Sequence, residues 1–333
     1  MESYRYCTLS EPQKKLYMAV YDGLKNQAPA ISVNGNPSEI FGIVVRDHPE
    51  LFYVGTECRM TASLLGARLM PRYLYDRTRA GQLNRKLEAE AQEILSQYIN
   101  DHQSDYDKAL VLHDYLKSNV RYNFDAAQSR SPKGFENSYN VIGALMDHCC
   151  VCAGFAAAFK YLCDRAGVEC HVVTGTGSSS LFSGPHAWNI VRINGYYHHI
   201  DVTWDNQFSS DSGIPNYGYF NLDDETISKD HTWDRKLFPP CPEAPYNYFR
   251  VNNAIIDSQV QLEKFLYENM LNEEQRITFK VRKDSDLETE IAGCLNAVIR
   301  NASSRLKYSS VTGYKMEWIP EQLVYTIMAE YSC

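Results

Sequence analysis

The sequence predicts an α+β protein: a helical N-terminal region, a central part in which helices precede strands, and a small α+β module at the C-terminus. Three observations carry this. Apolar residues recur at helical spacing over 11–29, 79–100 and 104–119. Asn194-Gly195 lies between two runs rich in β-branched and aromatic residues, a strong hairpin signal. The Pro-rich stretch "FPPCPEAP", 238–245, then breaks the chain before a fresh alternation of helix and strand. The expected organisation is an N-terminal α/β region over 1–103, a central core over 104–240 and a C-terminal α+β module over 241–333.

In chain order, 11–29 reads as a helix with Leu16, Val20 and Leu24 on one face. A turn follows, then a short helix from Ser38, a strand entry at Phe52 and extended chain over 59–75. Two helices cover 79–100 and 104–119; Ser104 opens the second, with Asp105 and Asp107 in its first turn. "RSPKGFENS", 130–138, is a loop, and from 139 to about 220 a helix gives way to strands. Beyond the Pro-rich break the pattern is helix over 258–270, strand over 276–282, helix over 286–301, and two strands to the end.

The 333 residues carry a net charge of −8 and no run of lysine or arginine, which argues against nucleic acid as a partner. No apolar run approaches the roughly 20 residues that span a bilayer. "MESYRYCTLSEPQKK" has no apolar signal core, so a cytoplasmic location is expected. The ten cysteines lack the regular spacing of a disulfide scaffold and read mostly as reduced thiols.

Three of them crowd into "HCCVCAGFAAAFKYLCDRAGV", 148–168. After Cys152, the residues Phe155, Ala158, Phe159 and Leu162 follow the spacing of one helix face, and Gly167 supplies the stop. Cys152 therefore falls in a first helical turn, where unpaired backbone N–H groups favour a thiolate. Ala153 and Gly154 would leave room for a substrate, and the Cys152 N–H could donate to an oxyanion. A small buried packing residue is the plain alternative.

Downstream, "GPHAWNIVRINGYYHHIDVTWD", 184–205, forms the hairpin. With a two-residue turn, Ile193 faces Tyr196, Ile190 faces His199, Trp188 faces Asp201 and His186 faces Thr203. Side chains alternate, so His186, Trp188, His199, Asp201 and Thr203 share a face, with His198 and Trp204 on the other. His186 and Asp201 become diagonal neighbours, roughly 7–8 Å apart at the backbone. Asp201 can then take the Nδ1–H of His186 and leave the other nitrogen for a thiol. His199 competes for the role of base, but it lies deeper along the hairpin opposite an isoleucine. Trp204 is expected in the core. The Gly/Ser-rich "TGTGSSSLFSGP", 174–185, reads as a loop that gates access or as a plain connector.

In order, "VCAGFA", "HAWN" and "DVTWD" resemble the transglutaminase-like superfamily, whose core has the papain-like cysteine protease fold. The likeness runs through "SYNVIGALMDHCC" and "YFNLDDETISKDH", and "DHPELFYV" and "YDKALVLHDYLKSNVRY" look like bacterial members. It is strong over roughly 104–235 and does not reach the C-terminal module. Carried over, it implies Cys152 as nucleophile, His186 as base and Asp201 as the partner of the imidazole. The superfamily holds cross-linking enzymes, peptidases, deamidases, peptide N-glycanases and members that have lost activity. This chain has neither a second CxxC pair, as the glycanases commonly do, nor an EF-hand-like acidic loop.

The expected chemistry is cysteine-dependent acyl transfer or hydrolysis on protein or peptide amides through a thioester, with no metal or cofactor. Tyr139 and Asn140 are candidate second oxyanion donors, and Trp188 is a candidate for excluding water. Three other readings stay open. Cys149 and Cys152 form a CxxC suited to redox work, and Cys149 or Cys150 could trap an oxidised Cys152. Cys149, Cys152, His198 and His199 could hold zinc, although alternation sends the two histidines apart. A binding scaffold with a vestigial core is the third.

Overall fold

Short helix α1 (Tyr4–Thr8) leads into α2 (Glu11–Lys25), whose Ser10 N–H is taken by the Gln13 side chain and whose Leu16, Val20 and Leu24 turn inward. The structure, a computed structural model, describes residues 3–34, 37–63, 66–129, 131–178, 183–207, 217–307 and 310–332. Helix α2 stops short of the expected residue 29: Gln27 takes a left-handed φ of 44°, and the chain then enters β1 (Ile31–Val33). After α3 (Ser38–Asp47), the extended chain proves to be a hairpin of β2 (Val54–Ser63) and β3 (Gly66–Tyr73), with β1 added beside β3.

Helices α4 (Arg77–Tyr98) and α5 (Asp105–Asn119) stand where periodicity puts them. Ser104 caps α5 by accepting the Asp107 N–H, and the Asp107 carboxylate accepts the Ser104 N–H in return. A two-strand parallel ladder, β4 (Arg121–Tyr122) with β5 (Cys149–Cys150), spans α6 (Phe124–Gln128) and α7 (Val141–Leu145). Directly after β5 begins α8 (Cys152–Ala166), ended by Gly167 at φ 80°. Its Phe155, Ala158, Phe159 and Leu162 are fully buried, worth about 1.5–3 kcal/mol for each of the larger side chains relative to exposure.

Against α8 packs an antiparallel sheet. Its strands are β6 (Cys170–Ser178), β7 (Ser183–Ile193), β8 (Tyr196–Ile200), β9 (Phe220–Leu222) and β10 (His231–Trp233), in the order β10-β6-β7-β8-β9. The β7–β8 turn has positive φ at Asn194 (49°) and Gly195 (91°), the type I′ requirement that Asn-Gly meets. The pairing is the expected one: Ile193 with Tyr196, Ile190 with His199, Asn189 with Ile200. It ends there. The pairs Trp188–Asp201 and His186–Thr203 do not form, because Asp201 leaves the strand to start α9 (Val202–Gln207). Thr174–Ser178 and Ser183–Pro185, read as loop, belong to β6 and β7; 179–182 lie outside the described residues.

Short helices α10 (Asp224–Ile227) and α11 (Tyr248–Val251) lead to a second sheet with α12 (Gln259–Leu271) and α13 (Asp286–Ser304) against it. That sheet is β11 (Ile255–Ile256), β12 (Arg276–Val281), β14 (Val324–Ser332) and β13 (Ser310–Ile319), in that order. One apolar core draws on residues from Leu9 to Phe220, a second on Phe249 to Ile327, and a smaller one beneath the β6–β10 sheet joins Trp188, Trp204, Tyr219 and Phe238. Among the described residues no helix is long and apolar enough to cross a membrane.

Candidate active site

Cys152 stands at the first position of α8, partly exposed, with Val151 at the N-cap. It is placed there from both sides. The β4–β5 ladder sets Cys150 beside Tyr122, and Val151 donates its N–H to Ser138 O at 2.9 Å. Gly154 does not make room for a substrate, as its sequence position suggests. It is buried, and a Cβ there would lie 2.5 Å from Cys150 Cβ and 2.7 Å from Ser138 O, so its missing side chain serves packing.

Across from α8, His186 reaches Asp201: Nε2 donates to Oδ2 at 2.5 Å, and both side chains are buried. The Cys152 thiol is the other hydrogen-bonding partner of the ring. This corrects the expected tautomer. Asp201 takes Nε2–H, not Nδ1–H, and Nδ1 is the nitrogen left for sulfur. The reason is the turn into α9, which brings the carboxylate to the far end of the ring. Asp201 Oδ1 meanwhile accepts the N–H groups of Thr203 (2.9 Å) and Trp204 (3.1 Å), so one residue orients the imidazole and caps a helix.

Burial works against charging His186, but the Asp201 carboxylate and the Cys152 sulfur outweigh it and hold the ring up at about 10. Burial likewise opposes ionising Asp201, yet His186 and then His231 keep its carboxyl well below the usual carboxylate range. The three side chains thus sit in line, with an imidazolium favoured in the middle.

Trp188 lies flat against His186, centroids 6.0 Å apart and planes 19° apart, and is buried. Its indole N–H donates to His199 Nδ1 at 3.0 Å, and His199 Nε2 meets Asp224 Oδ1 at 2.9 Å. Trp188 therefore fixes the plane of the His186 ring. Trp204, expected only as core, is buried but comes within 5.6 Å of that ring, because α9 rotates it off the strand's alternation.

The two proposed oxyanion donors are committed elsewhere. Asn140 donates from Nδ2 to Phe52 O and Glu136 O, and its Oδ1 accepts the Ile142 N–H, which caps α7. Tyr139 has Cys152 as a neighbour but donates its hydroxyl to Ala126 O at 2.9 Å. Sequence inspection missed Tyr122. Burial, then the neighbouring Cys152 and Asp201, push its phenol up, so it stays a protonated donor beside the sulfur. Its only sequence signal is its place on a short strand before Asn123. His231, whose Nε2 also reaches Asp201 Oδ2, at 3.0 Å, was missed as well.

The zinc grouping of Cys149, Cys152, His198 and His199 is not assembled. His199 is tied to Trp188 and Asp224, while His198 is buried beside Tyr246 and held down at about 4 by burial and by His199. Among the described residues, two other groups bring ligand-type atoms within 4.8 Å: His186, Asp201 and His231, and His199, Asp224 and Cys241. The second does not fit a metal. An indole N–H can only donate, so His199 Nδ1 is the acceptor and Nε2 carries the hydrogen bound to Asp224. The ring then has no lone pair to give. In the first group both Nε2 atoms approach the single oxygen Asp201 Oδ2, contacts that hydrogen bonding satisfies. Of the two cysteines read as traps for an oxidised Cys152, Cys150 is fully buried and burial pushes its thiol well up, while Cys149, the other half of the CxxC, borders a cavity of about 440 Å³ with Arg72, Tyr75 and Glu136. The described cysteines are all free thiols.

A cysteine on the first turn of a helix, packed on an antiparallel sheet that carries histidine, defines a papain-like α+β fold. Within the chain, residues 92–223 match the model of the transglutaminase-like superfamily. The chain is 28% identical over 165 residues to the kyphoscoliosis peptidases of Mus musculus and Homo sapiens. In each case the match covers 44% of this chain and 24% of the relative, so it spans about a quarter of those proteins. Among solved structures, a transglutaminase crystal structure is similar at 13% identity and a TM-score of 0.30, covering 52% of this chain and 50% of that one. A structure described as a candidate cysteine protease of Cytophaga hutchinsonii is similar at 14% identity and a TM-score of 0.29, covering 44% and 61%.

Proposed function

We propose that this protein cleaves or transfers the acyl group of a peptide or protein amide through a thioester on Cys152. The observation that carries this reading is the single line of partly exposed sulfur, imidazole and buried carboxylate. Cys152 Sγ attacks the carbonyl carbon, and the resulting oxyanion meets the first-turn N–H of Cys152 and the Tyr122 hydroxyl. His186, held as imidazolium by Asp201, passes a proton from Nδ1 to the departing amine as the C–N bond breaks. Water or a second amine then resolves the thioester. The superfamily supports either acceptor, and the likeness to kyphoscoliosis peptidases favours water.

The test is to label purified protein with a thiol-directed amide probe, then compare peptide hydrolysis with amine incorporation. Labelling on Cys152, absent in Cys152→Ala, with new peptide termini, supports a hydrolase. Incorporation without cleavage assigns a transferase. Turnover retained in Cys152→Ala would overturn the reading.

A further inference from the structure

Behind the proposed triad the buried hydrogen bonds continue. Asp201 Oδ2 accepts His231 Nε2 at 3.0 Å, and His231 Nδ1 lies 2.6 Å from Asp230 Oδ1. Asp230 Oδ2 accepts the Tyr219 hydroxyl at 2.7 Å and Gln322 Nε2 at 3.2 Å. His231 and Gln322 are fully buried. Gln322 comes from the turn Pro320–Gln322 between β13 and β14, in the sheet of the second core.

An ionised carboxylate can only accept hydrogen bonds. An imidazole with a carboxylate oxygen at each nitrogen satisfies both contacts only with a hydrogen on each nitrogen, that is, as imidazolium. With both carboxylates ionised, charge alternates along the row: Asp230 negative, His231 positive, Asp201 negative, His186 positive. Removing His231 leaves Asp230 without its cation and Asp201 with one cation in place of two, a costly outcome in a dry interior.

We propose that His231 is a positioning residue for the reaction, a buried imidazolium that clamps the Asp201 carboxylate in place for His186, and that Gln322 anchors this clamp to the C-terminal sheet. The proposal rests on the triad reading above. The clamp fixes the carboxylate's rotation, since Oδ2 meets two imidazoles while Oδ1 meets two backbone N–H groups. It also shares the Asp201 charge between two rings, so the His186 proton is held less tightly than by an undivided carboxylate and is easier to give up. The other groups that bear on His231 are His186 on β7, His199 on β8 and Tyr219 ahead of β9; Lys280 on β12 bears on Asp230. Burial disfavours a charged His231, but Asp201 and Asp230 raise it.

The first arm of the test needs no activity. Nitrogen-15 imidazole shifts of wild type and Cys152→Ala at pH 7.5 should show His231 protonated on both nitrogens. A neutral His231 overturns the clamp whatever the protein catalyses. The second arm compares wild type, His231→Gln and Gln322→Leu for iodoacetamide alkylation of Cys152 and for amide turnover across pH. With one cation gone from Asp201, its carboxyl protonates at higher pH. The acid limb of His231→Gln should rise by about one unit, near the low end for an opposite charge in contact. Its kcat should fall at least about tenfold at unchanged KM, the mark of an interaction made in the transition state. Gln322→Leu, which spares every charge, should move the limb the same way by less. A folded His231→Gln with wild-type limb and kcat overturns the proposal and leaves the triad standing. If wild-type Cys152 shows no triad-dependent reactivity, the triad reading fails, and the positioning role fails with it.

Discussion

Asp201 meets His186 at Nε2, 2.5 Å away, from the residue where a β-strand ends and a helix begins. Its other oxygen caps α9 through the N–H groups of Thr203 and Trp204. Orientation of the imidazole and the start of the helix therefore depend on one side chain, and substitution can separate the two.

Asp201→Asn keeps an oxygen for the cap but loses the charge that favours the imidazolium. The expected result is a folded protein with kcat lower by up to about 10⁴, the drop seen when the acid of a catalytic triad is neutralised. Asp201→Ala removes the cap as well and should cost about 1 kcal/mol more in stability. Denaturant midpoints and turnover, measured on both variants, check the separation; equal stability losses would refute it.

The pair also sets a pH window. His186 is raised in the folded chain, so its contribution to stability is complete below the ordinary histidine range near ~6.5 and fades as pH rises through about 10. Asp201 is depressed, so its contribution is complete above the ordinary carboxylate value of ~3.9 and fades on acidification below it. The stability gap between wild type and His186→Gln should be widest around pH 5–6.5 and should shrink above pH 10 and below pH 3. Chemical denaturation at pH 3, 6 and 10.5 reads this directly, and a gap independent of pH would show that the ring is not charged in the fold.

The hairpin was legible because Asn194-Gly195 admits essentially one turn, and a fixed turn dictates which residues face each other all along the ladder. The helix that Cys152 opens was legible from Phe155, Ala158, Phe159 and Leu162. What the sequence hid lies in tertiary packing. Val202, Thr203 and Trp204 have strand-like composition, yet Asp201 caps them into a helix, which redirected the carboxylate to Nε2 and brought Trp204 to His186. His231 and Gln322 are separated from Asp201 by 30 residues or more and share no period with it, so no local pattern could gather them. The gap at Gly154 had the right residue and the wrong neighbour, because Cys150 and Ser138 approach it from another element.

That neighbour makes a stability prediction. In Gly154→Ala the new methyl must occupy space 2.5 Å from Cys150 Cβ and 2.7 Å from a backbone oxygen, and neither group can swing aside. The helix would otherwise gain about 1 kcal/mol from alanine, so overpacking has to win for the variant to be destabilised. A net loss of about 1–3 kcal/mol is expected, the range for an extra methyl in a full site. Urea denaturation settles the sign, and a stabilised variant would mean that the Val151–Gly154 turn has slack.

Tyr122 offers the sharpest division between binding the sulfur's substrate and stabilising what the sulfur makes. Its phenol is kept protonated by burial, with Cys152 and Asp201 pushing the same way, and its place is set by the parallel pairing of Tyr122 with Cys150. An oxyanion donor matters only once the carbonyl oxygen has become charged. Tyr122→Phe should therefore lower kcat by about 10²-fold, somewhat less than the loss of a backbone-quality donor, while KM stays within about twofold. Alkylation of Cys152 by iodoacetamide builds no oxyanion and should proceed at the wild-type rate. If alkylation slows in step with amide turnover, Tyr122 acts on the thiol itself, and the second oxyanion donor must be sought elsewhere around Cys152.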